Sequence, residues 1–261
     1  MDIRLARYAE LVSTMDMART LIGSLADSGL IVVADMQTGG RGRLEGRTWE
    51  GARGSSLFMT LCLKGDFSAS RALPLRIGLA VHEVLSASAP SSVFGIKWPN
   101  DIMGRNPSRP GSPGFLGFGK LGGILCETAG QWLLAGIGIN LRKSAYSPLL
   151  GASATSLEEV LGKNAGGGGE PDIPALCMSL GKAAAARLEK PEWRDKYERN
   201  MIGIGGEVRF MAGHPGSGLV KSGRIVGVDD SGRLLLSAED GTVEAFWSGE
   251  ISGLRSLDQR L

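Results

Sequence analysis

Runs of apolar residues, bounded by glycine or charge, divide the chain into elements before any single residue is weighed. Leu30 to Asp35 (LIVVAD) and Ser55 to Leu63 (SSLFMTLCL) are apolar runs of strand length, the pattern of buried strands. Leu121 to Glu127 and Gln131 to Ile139 read as two more strands, a hairpin around a Thr-Ala-Gly turn. Val93 to Lys97 is a shorter one. Met15 to Ser28 reads as a helix: Ser13 followed by Asp16 resembles a capping box with Asp in place of Glu, and Asp27-Ser28-Gly29 ends it. Arg71 to Ser88, with Pro74 in its first turn, is a second helix. Thr155 to Leu161 starts a short one, and Ile173 to Met201 reads as helical throughout. After Gly203 the pattern changes to short strands (EVRFMA, GLVKSGRIVGV, GRLLLSA, TVEAFW), with DDSG and EDG as hairpin turns. The pattern predicts an α/β domain over residues 1–202 and a small β-barrel over residues 203–261.

Between the first two strands lies QTGGRGRLEGRTWEGARG, with no helix or strand period. Long loops in compact domains are usually functional or disordered. Residues 104–119 and 163–172 are further Pro- or Gly-rich loops. Glycine stands at 40 of 261 residues, about twice the ordinary ~7% share. It follows no collagen period, so it marks turns and places where backbone approaches something closely. The net charge of +2 provides no global basic field to recruit nucleic acid. Three widely spaced cysteines (Cys62, Cys126, Cys177) form neither a disulfide framework nor a zinc knuckle. Cys126 reads as an inert core thiol, and His82 as a helix-surface residue. The charged N-terminus reads as no signal peptide, and no uncharged stretch approaches the ~18 residues of a membrane span. The expectation is a cytoplasmic protein.

Four segments can carry chemistry. Arg41, Arg43, Arg47 and Arg53 offer planar forks for phosphate or carboxylate oxygens, and glycines 39, 40, 42 and 46 let backbone N–H groups approach an anion. A solvated basic loop would look the same. Lys97-Trp98-Pro99-Asn100-Asp101 ends a strand in a stiff step and then offers an amide and a carboxylate suited to a metal-bound phosphate. A plain Asn-Asp turn is the alternative. Lys120 enters a strand through Gly122 and Gly123, which fits either a ligand on the strand or a β-bulge. In GIGIN (Gly136 to Asn140), glycines clear one strand face, again as a ligand surface or as a twisted core strand. Gly114 to Leu121 (GFLGFGKL) nearly matches a P-loop, but Leu121 stands where a hydroxyl is required and the segment enters a strand rather than a helix.

In this order, STMD (Ser13 to Asp16), QTGGRGR…GRTW (Gln37 to Trp49), KWPND (Lys97 to Asp101), KLGGILCE (Lys120 to Glu127), GIGIN and WSGEI (Trp247 to Ile251) with LRS resemble the motifs of biotin–protein ligases. The resemblance spans nearly the whole chain. It implies a mixed-sheet α/β (α+β) catalytic domain of the class-II-synthetase and lipoate-ligase kind, plus a C-terminal SH3-like β-barrel. The first motif begins at Ser13, so the form without an N-terminal helix-turn-helix domain is expected.

The activity implied is ATP-dependent activation of biotin to biotinyl-5′-AMP, then transfer to a lysine of a biotin carboxyl carrier protein domain. ATP, biotin and Mg2+ are the implied small molecules, and the carrier domain is the partner. Neither nucleic acid nor membrane is implied; a homodimer is compatible. By resemblance, Lys120, Arg41 and Arg43 are catalytic. Ser13, Thr14, Met15, Gln37, Gly40, Gly42, Gly123, Gly136 and Gly138 join them around biotin. Arg43, Arg47, Trp49, Asn100, Asp101, Asn140 and Arg255 face ATP, and Asp101 also faces the metal. Glu45 lengthens the arginine loop relative to the family, residues 104–119 are longer than usual, and Gly253 shifts the match of Arg255. Two alternatives stay open: a non-catalytic biotin- or adenylate-binding homologue, and a ligase for another acyl cofactor such as lipoate.

Overall fold

A computed structural model describes residues 2–25, 29–44, 46, 48–49, 51–67, 72–87, 89–90, 93–106, 117–147, 150, 153–162, 171–213 and 218–255. The first unit contains β1 (Ile3–Tyr8), α1 (Thr14–Ile22), β2 (Gly29–Ala34), β3 (Ser56–Lys64), α2 (Leu73–Ser86), β4 (Phe94–Lys97), β5 (Asp101–Arg105), β6 (Phe118–Ala129), β7 (Trp132–Asn140), α3 (Leu157–Leu161), α4 (Ile173–Glu189) and α5 (Arg194–Asn200). Its seven strands form one mixed sheet in the order β1-β2-β3-β7-β6-β5-β4. Among the described residues, only the β1–β2 pair of this sheet is parallel.

The central strands are apolar throughout because both faces of the sheet are covered. On β2, Leu30 and Val32 join Cys62 and Leu134 beneath α1, where Met15, Ala18 and Ile22 complete one core layer. The alternate residues Ile31 and Val33 join Leu57, Met59 and Leu61 against α2 and α4 on the opposite face. Ser13 caps α1 as expected: its Oγ accepts from the Asp16 N–H at 3.4 Å. The helix ends earlier than its pattern predicts, at Ile22, with Gly23 as the C-cap. Residues 26–28 lie outside the described set.

Several boundaries differ from the sequence expectation. The stretch from Ile173 to Met201 is two helices, because Pro191 forces Lys190 to an extended backbone (φ −89°, ψ 125°) and stops α4. The hairpin turn is Gly130-Gln131, with Ala129 opposite Trp132 and Gly130 at φ +59°. Arg71 and Ser88 lie outside the described residues. His82 is buried, not on the helix surface. All three thiols are pushed up to about 12 by burial, as suits inert core cysteines. No described helix is long and apolar enough to cross a membrane.

The C-terminal strands β8 (Glu207–Ala212), β9 (Leu219–Val228), β10 (Leu234–Ser237), β11 (Val243–Phe246) and β12 (Gly249–Arg255) form an antiparallel sheet in the order β11-β10-β9-β8-β12. Among the described residues, no pairing joins β11 to β12, so this is an open sheet rather than the closed barrel expected. It does not carry a core of its own. Val208, Phe210, Ile225, Val228, Leu234, Leu236 and Ile251 belong to the same apolar cluster as Trp98, Trp193, Tyr197 and Met201.

Candidate active site

The cleft opens on the α1 face of the sheet, and a register shift aims its lysine. Along β5 and β6, Ile102 pairs with Gly122 but Met103 pairs with Lys120, which leaves Leu121 as an extra residue. Strand residues three apart ordinarily point to opposite faces. The bulge cancels that parity, so Leu121 enters the core while Lys120 and Gly123 share the cleft face. Of the two sequence readings of KLGG, the strand adopts the β-bulge, and the bulge turns Lys120 to the cleft.

Lys120 Nζ lies 2.7 Å from Asp101 Oδ1 and 5.5 Å from the centroid of the Trp49 ring. Asp101 opens β5. The preceding Asn100 is pinned to β6, its Nδ2 donating to the Ile124 carbonyl at 3.0 Å while Ile124 N–H donates to the Asn100 carbonyl at 2.9 Å.

Arg41 is clasped by Asp16 through two hydrogen bonds, at 2.8 and 2.6 Å. That guanidinium, with Arg19 as a second cation, holds the Asp16 carboxyl below the ordinary carboxylate value. Arg43 Nη2 donates to the Gly249 carbonyl on β12 at 3.0 Å. Each of the three cations therefore faces a protein acceptor.

The polar end of the cleft is a network buried at the start of α1. Gln37 Oε1 accepts from Thr14 N–H at 2.8 Å and from Thr14 Oγ1 at 3.1 Å, and Thr60 Oγ1 donates to Thr14 Oγ1 at 2.9 Å.

The glycines of β6 and β7 make room for side chains of the protein itself. A Cβ on Gly138 would fall inside the Trp49 indole, and one on Gly123 would lie 3.3 Å from that ring. A Cβ on Gly136 would sit 3.0 Å from Met15 Sδ. Gly40 lets Gln37 and the Trp49 backbone come together. The Trp49 Nε1–H is buried and finds no hydrogen-bond partner among the described residues. About 70 Å3 of free space remains in the cleft.

Of the residues singled out in the sequence, Ser13, Thr14, Met15, Gln37, Arg41, Gly42, Arg43, Trp49, Asn100, Lys120, Gly123, Gly136 and Gly138 line this one cleft. Asp101 joins it through Lys120. Asn140 does not line it: its amide is spent on the carbonyls of Lys120 (3.4 Å) and Thr155 (3.0 Å), where it fastens β7 to the lysine strand. Glu45, Arg47 and the side chain of Arg255 lie outside the described set; the Arg255 backbone pairs with Glu207. Sequence reasoning missed Asp16 as the partner of Arg41, having read it only as a capping residue. It also missed Phe58 and Leu125, which lie beside Gly138 and Gly136 and line the cleft but carry nothing to distinguish them from core residues.

Comparison with known proteins gives the chain its relatives. The model of the biotin/lipoate A/B protein ligase family matches residues 9–144, and that of the biotin protein ligase C-terminal domain matches residues 215–253. The biotin–[acetyl-CoA-carboxylase] ligase of Mycobacterium tuberculosis is 28% identical over 251 residues, covering 92% of this chain and 84% of that protein. The bifunctional ligase/repressor BirA of Bacillus spizizenii is 28% identical over 253 residues, covering 94% of this chain and 72% of its own. Among solved structures, the Aquifex aeolicus biotin protein ligase in complex with biotin and ATP superposes with a TM-score of 0.73 at 28% identity, covering 97% of this chain and 98% of that one.

Two outcomes follow from the cleft's packing. Because the Asp16 carboxyl is depressed, its pair with Arg41 acts at neutral pH and is lost only as pH falls below the ordinary value of 3.8. Both side chains are about half exposed, so the pair contributes no more than ~1 kcal/mol. Asp16→Asn should therefore speed tryptic cleavage after Arg41 at pH 7.5 by a few-fold; an unchanged rate would show that the clasp does not hold the loop. Gly138→Ala should displace the Trp49 indole and make the loop cleavable without unfolding the protein, which limited proteolysis and a melting curve together would reveal.

Proposed function

Because the chain belongs to the biotin/lipoate A/B protein ligase family, we propose that it is an ATP-dependent biotin–protein ligase acting on a biotin carboxyl carrier domain. The observation that carries this reading is three cationic side chains, Lys120, Arg41 and Arg43, lining one glycine-floored cleft. The match of residues 215–253 to a biotin-specific C-terminal domain favours biotin over lipoate. A protein that only bound biotin would have no need of three cations where oxygens of one carboxylate and one phosphate meet.

In the first step the carboxylate of biotin attacks the α-phosphorus of ATP. The bond to the β-phosphate oxygen breaks, pyrophosphate leaves and biotinyl-5′-AMP forms. In the second, the amine of the carrier lysine attacks the acyl carbon, its proton is lost, and AMP departs with the electron pair of the C–O bond. Negative charge crowds in both steps, so cations fixed in advance are the main contribution the protein can make. Lys120 faces the oxygens between carboxylate and α-phosphate, exchanging part of its contact with Asp101 for them. Arg41 and Arg43 close over the adenylate from the loop, and Ser13, Thr14 and Gln37 receive the polar ureido ring of biotin. Trp49, on the glycine floor, walls the cleft and offers a face for stacking.

No group of three metal-ligating side chains exists among the described residues, so these residues alone build no metal cage. Asp101 nonetheless fits the arrangement in which magnesium takes one carboxylate plus substrate phosphates. Bound there with the nucleotide, Mg2+ would supply charge neutralisation on the phosphates.

Protein, biotin, Mg-ATP and a carrier domain should yield a carrier heavier by one biotinyl group on a single lysine, measured by mass spectrometry. Lipoyl transfer in place of biotinyl transfer would overturn the reading. Lys120→Ala should slow biotin-dependent pyrophosphate exchange by about 10²–10³, while biotin still binds, more weakly. Exchange near the wild-type rate would remove Lys120 from its role.

A further inference from the structure

Trp98 is fully buried, yet it belongs to the segment that delivers Asn100 and Asp101 to the cleft. Its indole leaves the catalytic sheet and enters the C-terminal one. Nε1 donates to the Gly232 carbonyl at 3.0 Å across 134 positions of sequence. The ring packs on Phe210 of β8 at a centroid distance of 6.1 Å, and Phe210 packs in turn on Phe246 of β11 at 4.8 Å. The acceptor is itself held. Gly232 closes the β9–β10 turn at φ +85°, where Asp229 Oδ1 accepts the N–H groups of Ser231 (3.0 Å) and Arg233 (2.9 Å). A Cβ on Gly232 would meet Ala72 at 3.1 Å.

Two residues after Trp98, Asn100 is bonded to Ile124; three residues after it, Asp101 meets Lys120 at 2.7 Å. The segment is therefore anchored at both ends, by the C-terminal sheet at Trp98 and by β6 at Asn100, and the carboxylate that orients Lys120 follows the β6 anchor directly, three residues from Trp98. From this we infer that Trp98 is a positioning residue, through which the C-terminal sheet sets the Asp101–Lys120 pair for adenylate formation. The inference rests on the ligase reading for its kinetics but not for its geometry.

The test uses the full chain carrying Trp98→Phe, which keeps an aromatic ring on Phe210 and deletes the donor to Gly232. Pyrophosphate exchange should lose roughly 10- to 100-fold in kcat, the scale of a small misplacement of a reacting group, with the KM for biotin nearly unchanged. The same substitution in an Asp101→Asn background should cost little further, because residues acting as one unit are not additive. Equal losses in both backgrounds would overturn the inference. Phe210→Leu, made in the other sheet, should reproduce the kcat loss if Trp98→Phe folds poorly; an unchanged kcat there would count against it. A readout independent of activity is the rate at which acetic anhydride acylates Lys120 relative to the other lysines, followed by peptide mass spectrometry. It should rise several-fold in Trp98→Phe, and an unchanged rate would sink the positioning role. If the wild type formed no adenylate, the ligase reading would fail while this labelling result still decided the role of Trp98.

Discussion

A single ion pair, Lys120 with Asp101, organises the cleft. Its ammonium must be presented to anionic oxygens without being lost to solvent or buried unpaired, since an unpartnered buried charge is costly. The 2.7 Å contact with a carboxylate on the neighbouring strand meets that condition. Much of the surrounding structure serves it. The bulge at Leu121 turns the lysine to the cleft face, Asn100 and Asn140 bind its strand on either side, and Trp49 lies flat beneath the charge. The same logic recurs at Arg41 with Asp16 and at Arg43 with the Gly249 carbonyl. Substrate anions thus compete against acceptors already in place, which ties affinity for them to how completely they replace those contacts.

The C-terminal sheet is joined to this arrangement rather than appended to it. Its apolar residues share one cluster with the catalytic unit. Polar contacts among the described residues cross between them: Trp98 to Gly232, Arg43 to Gly249, Glu198 Oε1 accepting from Val228 N–H at 2.9 Å, and Arg194 Nη1 donating to Asp230 Oδ1 at 3.0 Å. The first two begin in segments that line or feed the cleft. About 60 residues of short strands bury little core by themselves, and here the missing core is borrowed.

The legible parts of the sequence were those where one physical demand acts alone. Strands β2 and β3 are covered on both faces and so read as unbroken apolar runs. Strand β1 (IRLARY) is an edge with a charged, half-exposed face, and it escaped notice. Strand β5 is hidden because its first residue, Asp101, is part of an Asn-Asp turn signal, and β12 because WSGEI carries no alternating apolar pattern of its own. In the site, charged side chains and glycines announced themselves. The cleared faces of Gly136 and Gly138 could be seen, but not that Met15 and Trp49 would fill them. Phe58 and Leu125 were silent, since an apolar wall and an apolar core look alike in sequence. Contacts made across many residues of chain, such as Trp98 to Gly232, leave no local trace at either end.

The bulge at Leu121 also sets a rule about chain length. Loops on the rim of a cleft tolerate gain or loss of residues, because their ends stay where the sheet holds them. Between Phe118 and Gly123 the count itself carries information, since one surplus residue is what puts an odd-spaced lysine and glycine on the same side. A regular ladder built from these same residues, with the bulge ironed out, would keep every catalytic group in the protein and turn either the ammonium or its glycine neighbour inward. Removing the leucine as well would bring the two back to one side, two positions apart, so residue count and pairing register can change only together.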